Sequence, residues 1–299
     1  MKNSKAILKT PGTMKIIAAD IPVPKEHEVL IKVEYVGICG SDVHGFESGP
    51  FIPPKDPNQE IGLGHECAGT VVAVGNRVTK FKPGDRVNIE PGVPCGHCRY
   101  CLEGKYNICP DVDFMATQPN YRGALTHYLC HPESFTYKLP DNMDTMEGAL
   151  VEPAAVGMHA AMLADVKPGK KIVILGAGCI GLMTLQACKC LGATDIAVVD
   201  VLEKRLTMAE QLGATTVING AKEDTVVRCQ QFSGDMGADI VFETAGSAIT
   251  VKQAPYLVMR GGKIMIVGTV PGDSAINFLK INREVSIQTV FRYANRYPG

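Results

Sequence analysis

The chain has 299 residues, 45% hydrophobic and 20% charged, and 30 Lys and Arg against 31 Asp and Glu leave a net charge of −1. That is enough apolar material for a core and excludes a disordered chain. The balanced charge excludes chain-wide attraction to nucleic acid or anionic membrane. The length allows two domains, and the unusual counts are 11 Cys and no Trp. No secretory signal opens the sequence, and the longest apolar run, residues 172–188, is short for a membrane span and interrupted by glycines. The expectation is a cytoplasmic protein with neither membrane nor nucleic acid as partner.

Residues 28–36 alternate apolar and polar side chains, which predicts a half-buried strand. Residues 37–64 are rich in Gly, Pro, Ser and Asp and read as a long loop of the kind that carries function. Residues 67–74 and 87–89 read as further strands, with a turn at 82–86 between them. Beyond Lys167-Pro-Gly the rhythm changes. Strands are predicted at 171–175, 196–199, 216–218, 239–243, 263–267 and 285–291, separated by segments of helical length. Such alternation predicts right-handed βαβ units around a parallel sheet, an α/β fold.

Residues 176–181, Gly-Ala-Gly-Cys-Ile-Gly, follow a predicted strand and open a helix, and the next strand ends in Asp200. That order marks a dinucleotide site; a purely structural glycine turn is the alternative. Gly176 permits the tight turn, Gly178 a close approach to a pyrophosphate, and Gly181 close helix–strand packing, with Ile180 beside them. The phosphates then meet a helix N-terminus, whose free N–H groups and dipole favour anions. Asp200 can accept hydrogen bonds from both ribose hydroxyls and would repel a 2′-phosphate, which favours NAD(H). Arg205 argues the other way, because a nearby Arg can accommodate that phosphate.

Cys95, Cys98, Cys101 and Cys109 are spaced C-x2-C-x2-C-x7-C. Four thiolates on one Gly-bearing loop can close a tetrahedron around Zn²⁺, and a site filled with sulfur is structural. An iron–sulfur cluster and unrelated core thiols are the alternatives. His97 is expected to be a spectator. A second region, Gly37-Ile-Cys39-Gly-Ser41-Asp42-Val-His44 with Gly64-His65-Glu66, holds the ligand types of a catalytic zinc. Spacing alone does not bring these residues together.

With GICGSDVH (37–44), GHE (64–66), KPGDRV (82–87), the four-cysteine stretch, GAGCIG (176–181) and the strand-end Asp200, the chain resembles the zinc-dependent medium-chain dehydrogenases. Within them it is most similar to the sorbitol (L-iditol) and related polyol dehydrogenases, through residues 89–109, 138–143, 147–153 and 291–298. The resemblance implies a mainly β GroES-like catalytic domain (1–153), with the structural-zinc lobe at about 90–112, and a Rossmann NAD-binding domain (154–299). It implies two zinc ions and NAD(H) as cofactors. Cys39, His65 and Glu66 become the catalytic-zinc ligands, and Glu152 approaches the same metal directly or through water. Asp42 orients His65, and Ser41 passes the substrate proton towards His44. Phe114 and Thr117 line the substrate pocket, Arg292 and Tyr293 stand beside the nicotinamide and polyol hydroxyls, and Thr244 and Gly268 lie along the cofactor.

The implied activity is oxidation of a polyol to a ketose by NAD⁺, in a homotetramer or dimer. Butanediol- and threonine-type dehydrogenases are alternatives; Ser41 disfavours the threonine type, which usually carries Thr there. The family's chain returns to complete its first domain. This sequence ends at Gly299, so the expectation is a catalytic domain lacking its C-terminal return segment, with apolar surface exposed. A catalytically inactive protein that still binds NAD and zinc is the corresponding alternative.

Overall fold

The structure, a computed structural model, describes residues 2–234 and 236–297. Pro298 and Gly299, which close the 291–298 match and the expected nucleotide domain, lie outside the described residues. The chain divides into two compact units. One runs to Glu152 and takes in Tyr297, and the other is Pro153–Arg296.

The strands of the first unit are β1 (Asn3–Thr10), β2 (Thr13–Ala19), β3 (Glu28–Gly37), β4 (Ile61–Gly62), β5 (Glu66–Val74), β6 (Arg86–Ile89), β7 (Gly92–Val93), β8 (Asp113–Phe114), β9 (Tyr128–Pro132) and β10 (Thr136–Lys138). They form sheets ordered β2-β1-β4, β10-β6-β5-β3-β9 and β7-β8. Every pairing is antiparallel. Val29 and Ile31 point from β3 into a core with Cys67, Val71, Val87 and Ile89, so the period-two pattern is realised as a half-buried sheet.

Residues 37–64 are not all loop. Gly40–Ser48 forms helix α1. The Gly, Ser and Asp that suggested a loop include a helix start: Cys39 is extended at the N-cap and donates its N–H to Asp42 Oδ2 at 3.0 Å. The Asp42 charge also lies in the first turn, where the helix dipole favours it. Two short helices follow, α2 (Arg99–Leu102) and α3 (Thr145–Ala149).

Helix α4 (Val151–Leu163) leads into the second unit. There β11 (Lys171–Leu175), β12 (Asp195–Asp200), β13 (Thr216–Asn219), β14 (Ala238–Glu243), β15 (Val258–Ile266) and β16 (Ser286–Thr289) alternate with α5 (Cys179–Cys190), α6 (Glu203–Gln211), α7 (Thr225–Ser233) and α8 (Ala248–Gln253). The sheet is parallel and ordered β13-β12-β11-β14-β15-β16, the doubly wound Rossmann order. Ile172 and Ile174 enter one core cluster and Val173 and Leu175 the other, so β11 is covered on both faces. The apolar run 172–188 is therefore strand, glycine turn and helix. No helix among the described residues is long and apolar enough to cross a membrane.

Candidate metal centres and dinucleotide site

The β3–β5 ladder pairs Gly37 with Glu66. Cys39 lies just beyond the end of β3, capping α1, and His65 lies just before β5. One corner of the sheet thus collects a sulfur of Cys39, a ring nitrogen of His65 and a carboxylate oxygen of Glu66, all within 4.8 Å of one another. Asp42 ties the two segments together. Its Oδ1 accepts from the Gly64 N–H at 2.7 Å and lies 3.8 Å from His65 Nδ1, while Oδ2 holds the Cys39 N–H. Asp42, His65, Glu66 and Glu152 are all buried.

Burial pushes the Cys39 thiol up to about 11. Hydrogen bonds from the Ser41 side chain and backbone oppose the rise, and the Glu66 and Glu152 charges add to it. Burial, followed by the Asp42 charge, pushes Glu66 up to about 7. A buried thiol and carboxylate that resist ionising, joined by an imidazole, form a donor set that a divalent cation completes. Three ligands of these types leave a position for a substrate, the composition of a catalytic zinc.

Around this corner, Ser41 is exposed at the start of α1. His44 stacks on Phe51 with ring centroids 3.8 Å apart. Phe114 is buried, its ring 5.4 Å from the His65 imidazole. The Thr117 hydroxyl is already donated to the carbonyls of Phe114 and Gln118. Sequence reasoning missed Gly37: a Cβ there would stand 2.1 Å from Glu66 Oε2. The available signal was a glycine opening the motif at a strand end.

In the cysteine lobe the four sulfurs also lie within 4.8 Å of one another. Sγ–Sγ separations are 3.4 Å (Cys98–Cys101), 3.8 Å (Cys98–Cys109) and 3.9 Å (Cys95–Cys101). The edge of a tetrahedron with Zn–S bonds of about 2.3 Å is about 3.8 Å, whereas a disulfide needs about 2 Å. All four cysteines are free. N–H groups of Cys95 and Cys98 point at the sulfurs of Cys109 and Cys95, at 3.5 and 3.4 Å. The backbone N–H groups of His97 and Cys98 hold the Cys95 thiol down to about 6. His97 itself is exposed, with its Nδ1 2.9 Å from the Cys95 carbonyl, outside the sulfur set.

In the second unit, Gly176 turns at φ +103 after β11, and a Cβ there would meet the Ala245 nitrogen at 2.8 Å. At Gly181 a Cβ would stand 1.9 Å from the Gly176 carbonyl, whereas at Gly178, the N-cap of α5, nothing lies within 4 Å. Ile180 sits partly buried in the first turn of α5. Asp200 closes β12, is buried, and already serves three N–H groups: Ala177 at 2.7 Å, Val201 at 2.8 Å and Leu202 at 3.0 Å. A carboxylate has roughly four acceptor sites, so Asp200 has less to offer two ribose hydroxyls than the sequence implies. Arg205 Nη1 lies 3.5 Å from the same carboxylate. Thr244 and Gly268 follow β14 and β15. Arg292 has φ +51 and lies over the Phe291 ring, and Tyr293 is buried. Both belong to the second unit, Phe114 and Thr117 to the first.

A doubly wound sheet with a glycine turn, and a β unit bearing a closed and an open donor cluster, define a zinc-binding oxidoreductase that uses a nicotinamide dinucleotide. Residues 25–141 match the alcohol dehydrogenase GroES-like domain and residues 179–299 the zinc-binding dehydrogenase domain. The chain is 94% identical over 298 residues to the Escherichia coli (strain K12) protein named "Uncharacterized zinc-type alcohol dehydrogenase-like protein YdjJ", covering 100% of this chain and 86% of that one. It is 42% identical to the sorbitol dehydrogenase of Bacillus subtilis (strain 168), covering 98% of this chain and 83% of that one. A solved structure from Sinorhizobium meliloti 1021, bound to NADP, superposes with TM-score 0.90 at 30% identity, covering 99% of this chain and 86% of that one. The chain belongs to the zinc-dependent alcohol dehydrogenases of the medium-chain superfamily.

Proposed function

We propose that the chain oxidises a secondary hydroxyl of a polyol of the sorbitol, L-iditol or xylitol type with NAD⁺, giving the ketose. The convergence of Cys39, His65 and Glu66, with a ligand position left over, carries this reading. The identity to sorbitol dehydrogenase supports the substrate class. When bound, zinc supplies Lewis acidity towards a hydroxyl oxygen and NAD⁺ accepts the hydride.

The chain's own residues do the rest. Asp42 fixes the orientation of His65. The Ser41 hydroxyl accepts the substrate proton as it releases its own towards His44, three residues on along the same helix, which passes it outwards. Glu152 adds its charge beside Cys39. Phe114 and Thr117 wall the substrate side of the first unit, and the family resemblance assigns Arg292 and Tyr293 of the second unit to the nicotinamide and polyol hydroxyls. Gly176, Gly178, Ile180, Gly181, Asp200, Arg205, Thr244 and Gly268 hold the cofactor. Cys95, Cys98, Cys101 and Cys109 hold a structural zinc with no open position. Free thiols suit a reducing cytoplasm. The exposed edge strand β16 suits pairing of copies into a dimer or tetramer, which light scattering reads directly.

The deciding assay supplies the zinc-loaded chain with NAD⁺ or NADP⁺ and sorbitol, xylitol, 2,3-butanediol or threonine. Polyol turnover with NAD⁺ is expected. Turnover of butanediol or threonine alone, or zinc and NAD⁺ binding with no turnover, overturns the reading. Ser41→Ala should lower kcat at neutral pH by about 10²- to 10⁴-fold while zinc is retained. Full turnover would remove Ser41 from the relay.

A further inference from the structure

Glu243, the last residue of β14, is fully buried. Its Oε1 accepts from the N–H of Ala245 at 3.0 Å, the N–H of Gly246 at 2.9 Å and the hydroxyl of Thr250 at 2.7 Å. Its Oε2 is buried with no hydrogen-bond partner among the described residues. Its backbone carbonyl accepts from the N–H groups of Val267 at 2.8 Å and Gly268 at 2.9 Å. One residue thus anchors the turn after β14 through its side chain and the turn after β15 through its backbone.

The turn after β14 is in contact with two glycine-bearing turns, the one at 176–181 and the one after β15 that carries Gly268. Thr244 donates its N–H to the Leu175 carbonyl at 2.9 Å and its hydroxyl to the Gly176 carbonyl at 2.9 Å. The Ala245 nitrogen lies 2.8 Å from where a Cβ of Gly176 would stand. A Cβ at Gly268 would meet the Gly246 nitrogen at 2.3 Å and Glu243 Oε2 at 2.8 Å. Neither glycine has room for a side chain, so the height of the backbone at 244–246 fixes where both turns stand. Without the carboxylate, the N–H groups of Ala245 and Gly246 lose their acceptor, and the turn must move to find another.

We infer that Glu243 is a positioning residue for the dinucleotide: by gathering the N–H groups of Ala245 and Gly246 on one buried oxygen, it sets the wall between the two glycine turns, and hence cofactor affinity, without touching the cofactor. The inference rests on residues 176–181 being the dinucleotide site, as proposed above.

The test measures NADH binding to the zinc-loaded full chain by calorimetry, with KM for NAD⁺, kcat and thermal melting alongside. Gly178→Val tests the underlying site. Its side chain would enter open space, so melting should hold while NADH binding weakens about 100-fold or more. Glu243→Ala should raise the NADH Kd and the KM for NAD⁺ about tenfold or more, with kcat at saturating NAD⁺ within about twofold. Glu243→Gln keeps an accepting oxygen and should restore Kd to within about threefold of the parent. A merely structural role would lower the yield of folded protein and leave the Kd of the folded fraction unmoved. Unchanged Kd in Glu243→Ala, with binding lost in Gly178→Val, overturns the inference alone. Unchanged binding in Gly178→Val overturns the site itself. Should Glu243→Ala fail to fold, Thr250→Val removes one partner of the same oxygen and should raise Kd about threefold; no change there overturns the inference.

Discussion

The two donor clusters of the first unit are built in opposite ways. Cys95, Cys98, Cys101 and Cys109 come from one short stretch of turns around α2, only partly buried except for Cys109, and their sulfurs take hydrogen bonds from the same stretch. Cys39, His65 and Glu66 come from two segments joined by the β3–β5 register and the Asp42 carboxylate, and Glu152 adds charge from α4. The first cluster is closed by sulfur and has no position for a substrate. The second is open and depends on the whole sheet to exist. On the proposed reading, a metal in the first would stabilise the fold, whereas a metal in the second would serve chemistry.

The sharpest way to break that contrast is one ligand substitution in each cluster. Cys39→Ser should cost about 10³-fold or more in kcat/KM, the loss of several kcal/mol of Lewis-acid stabilisation. Its melting temperature should stay within about 2 °C, because the four-sulfur cluster is intact. Cys98→Ser should lower the melting temperature by about 6–12 °C, the signature of roughly 3 kcal/mol in a chain of this size. Its folded fraction should keep its kcat. Zinc content should fall by one ion in each case. A stable, inactive Cys98→Ser beside an unstable, active Cys39→Ser would reverse the assignment.

Acid tests the frame between the clusters. His131 on β9 is buried and donates from Nε2 to the Glu90 carbonyl at 2.9 Å, just ahead of the cysteine lobe. Burial pushes its pKa down to about 4. The unfolded chain binds this proton near pH 6.5, so His131 contributes stability that is present above that pH and is lost between about 6.5 and 4. Glu90 works the other way: burial raises its carboxyl, so it disfavours the fold at neutral pH and relaxes on acidification. The stability difference between wild type and His131→Gln isolates the histidine. It should shrink by about 3 kcal/mol from pH 7 to pH 4 by urea unfolding. A pH-independent difference would remove His131 as an acid-labile support.

The second unit was the more legible in the sequence. Its strands bury residues on both faces, which leaves continuous apolar runs, and the glycine turn falls between one such run and a helix. In the first unit the spacing of four cysteines was legible because their contacts are local. The hairpin β1–β2 was not expected, since β2 is an edge strand whose Ile16 is 75% exposed and carries little pattern. Helix α1 was hidden because a capped helix start and a loop share Gly, Ser and Asp. The meeting of Cys39 with Glu66 came from family resemblance, since a long-range strand register leaves no trace in local spacing. Glu243 ends a strand as Asp200 does, yet the Glu243 carboxylate gathers N–H groups of its own turn, whereas Asp200 serves its own turn and also Ala177 of the glycine turn; residue type does not separate them.

Gly37→Ala is the finest test, because it perturbs the open cluster without removing any donor. The added methyl would stand 2.1 Å from Glu66 Oε2 and 3.1 Å from Glu66 Cβ. The carboxylate must swing away, since β3 and β5 are locked by their ladder and cannot part. Displacing one ligand while keeping all three should weaken the open site's zinc affinity by about 10- to 100-fold, the range seen when a ligand's support is lost. Chelator competition should show one zinc ion leaving early and the other on its wild-type schedule. The four-sulfur cluster closes through its own local turns, so it should not register a change at the end of β3. If both ions leave together, the two clusters are coupled and the separation between fold-holding and chemical metal fails. If neither leaves early, Glu66 does not hold the metal.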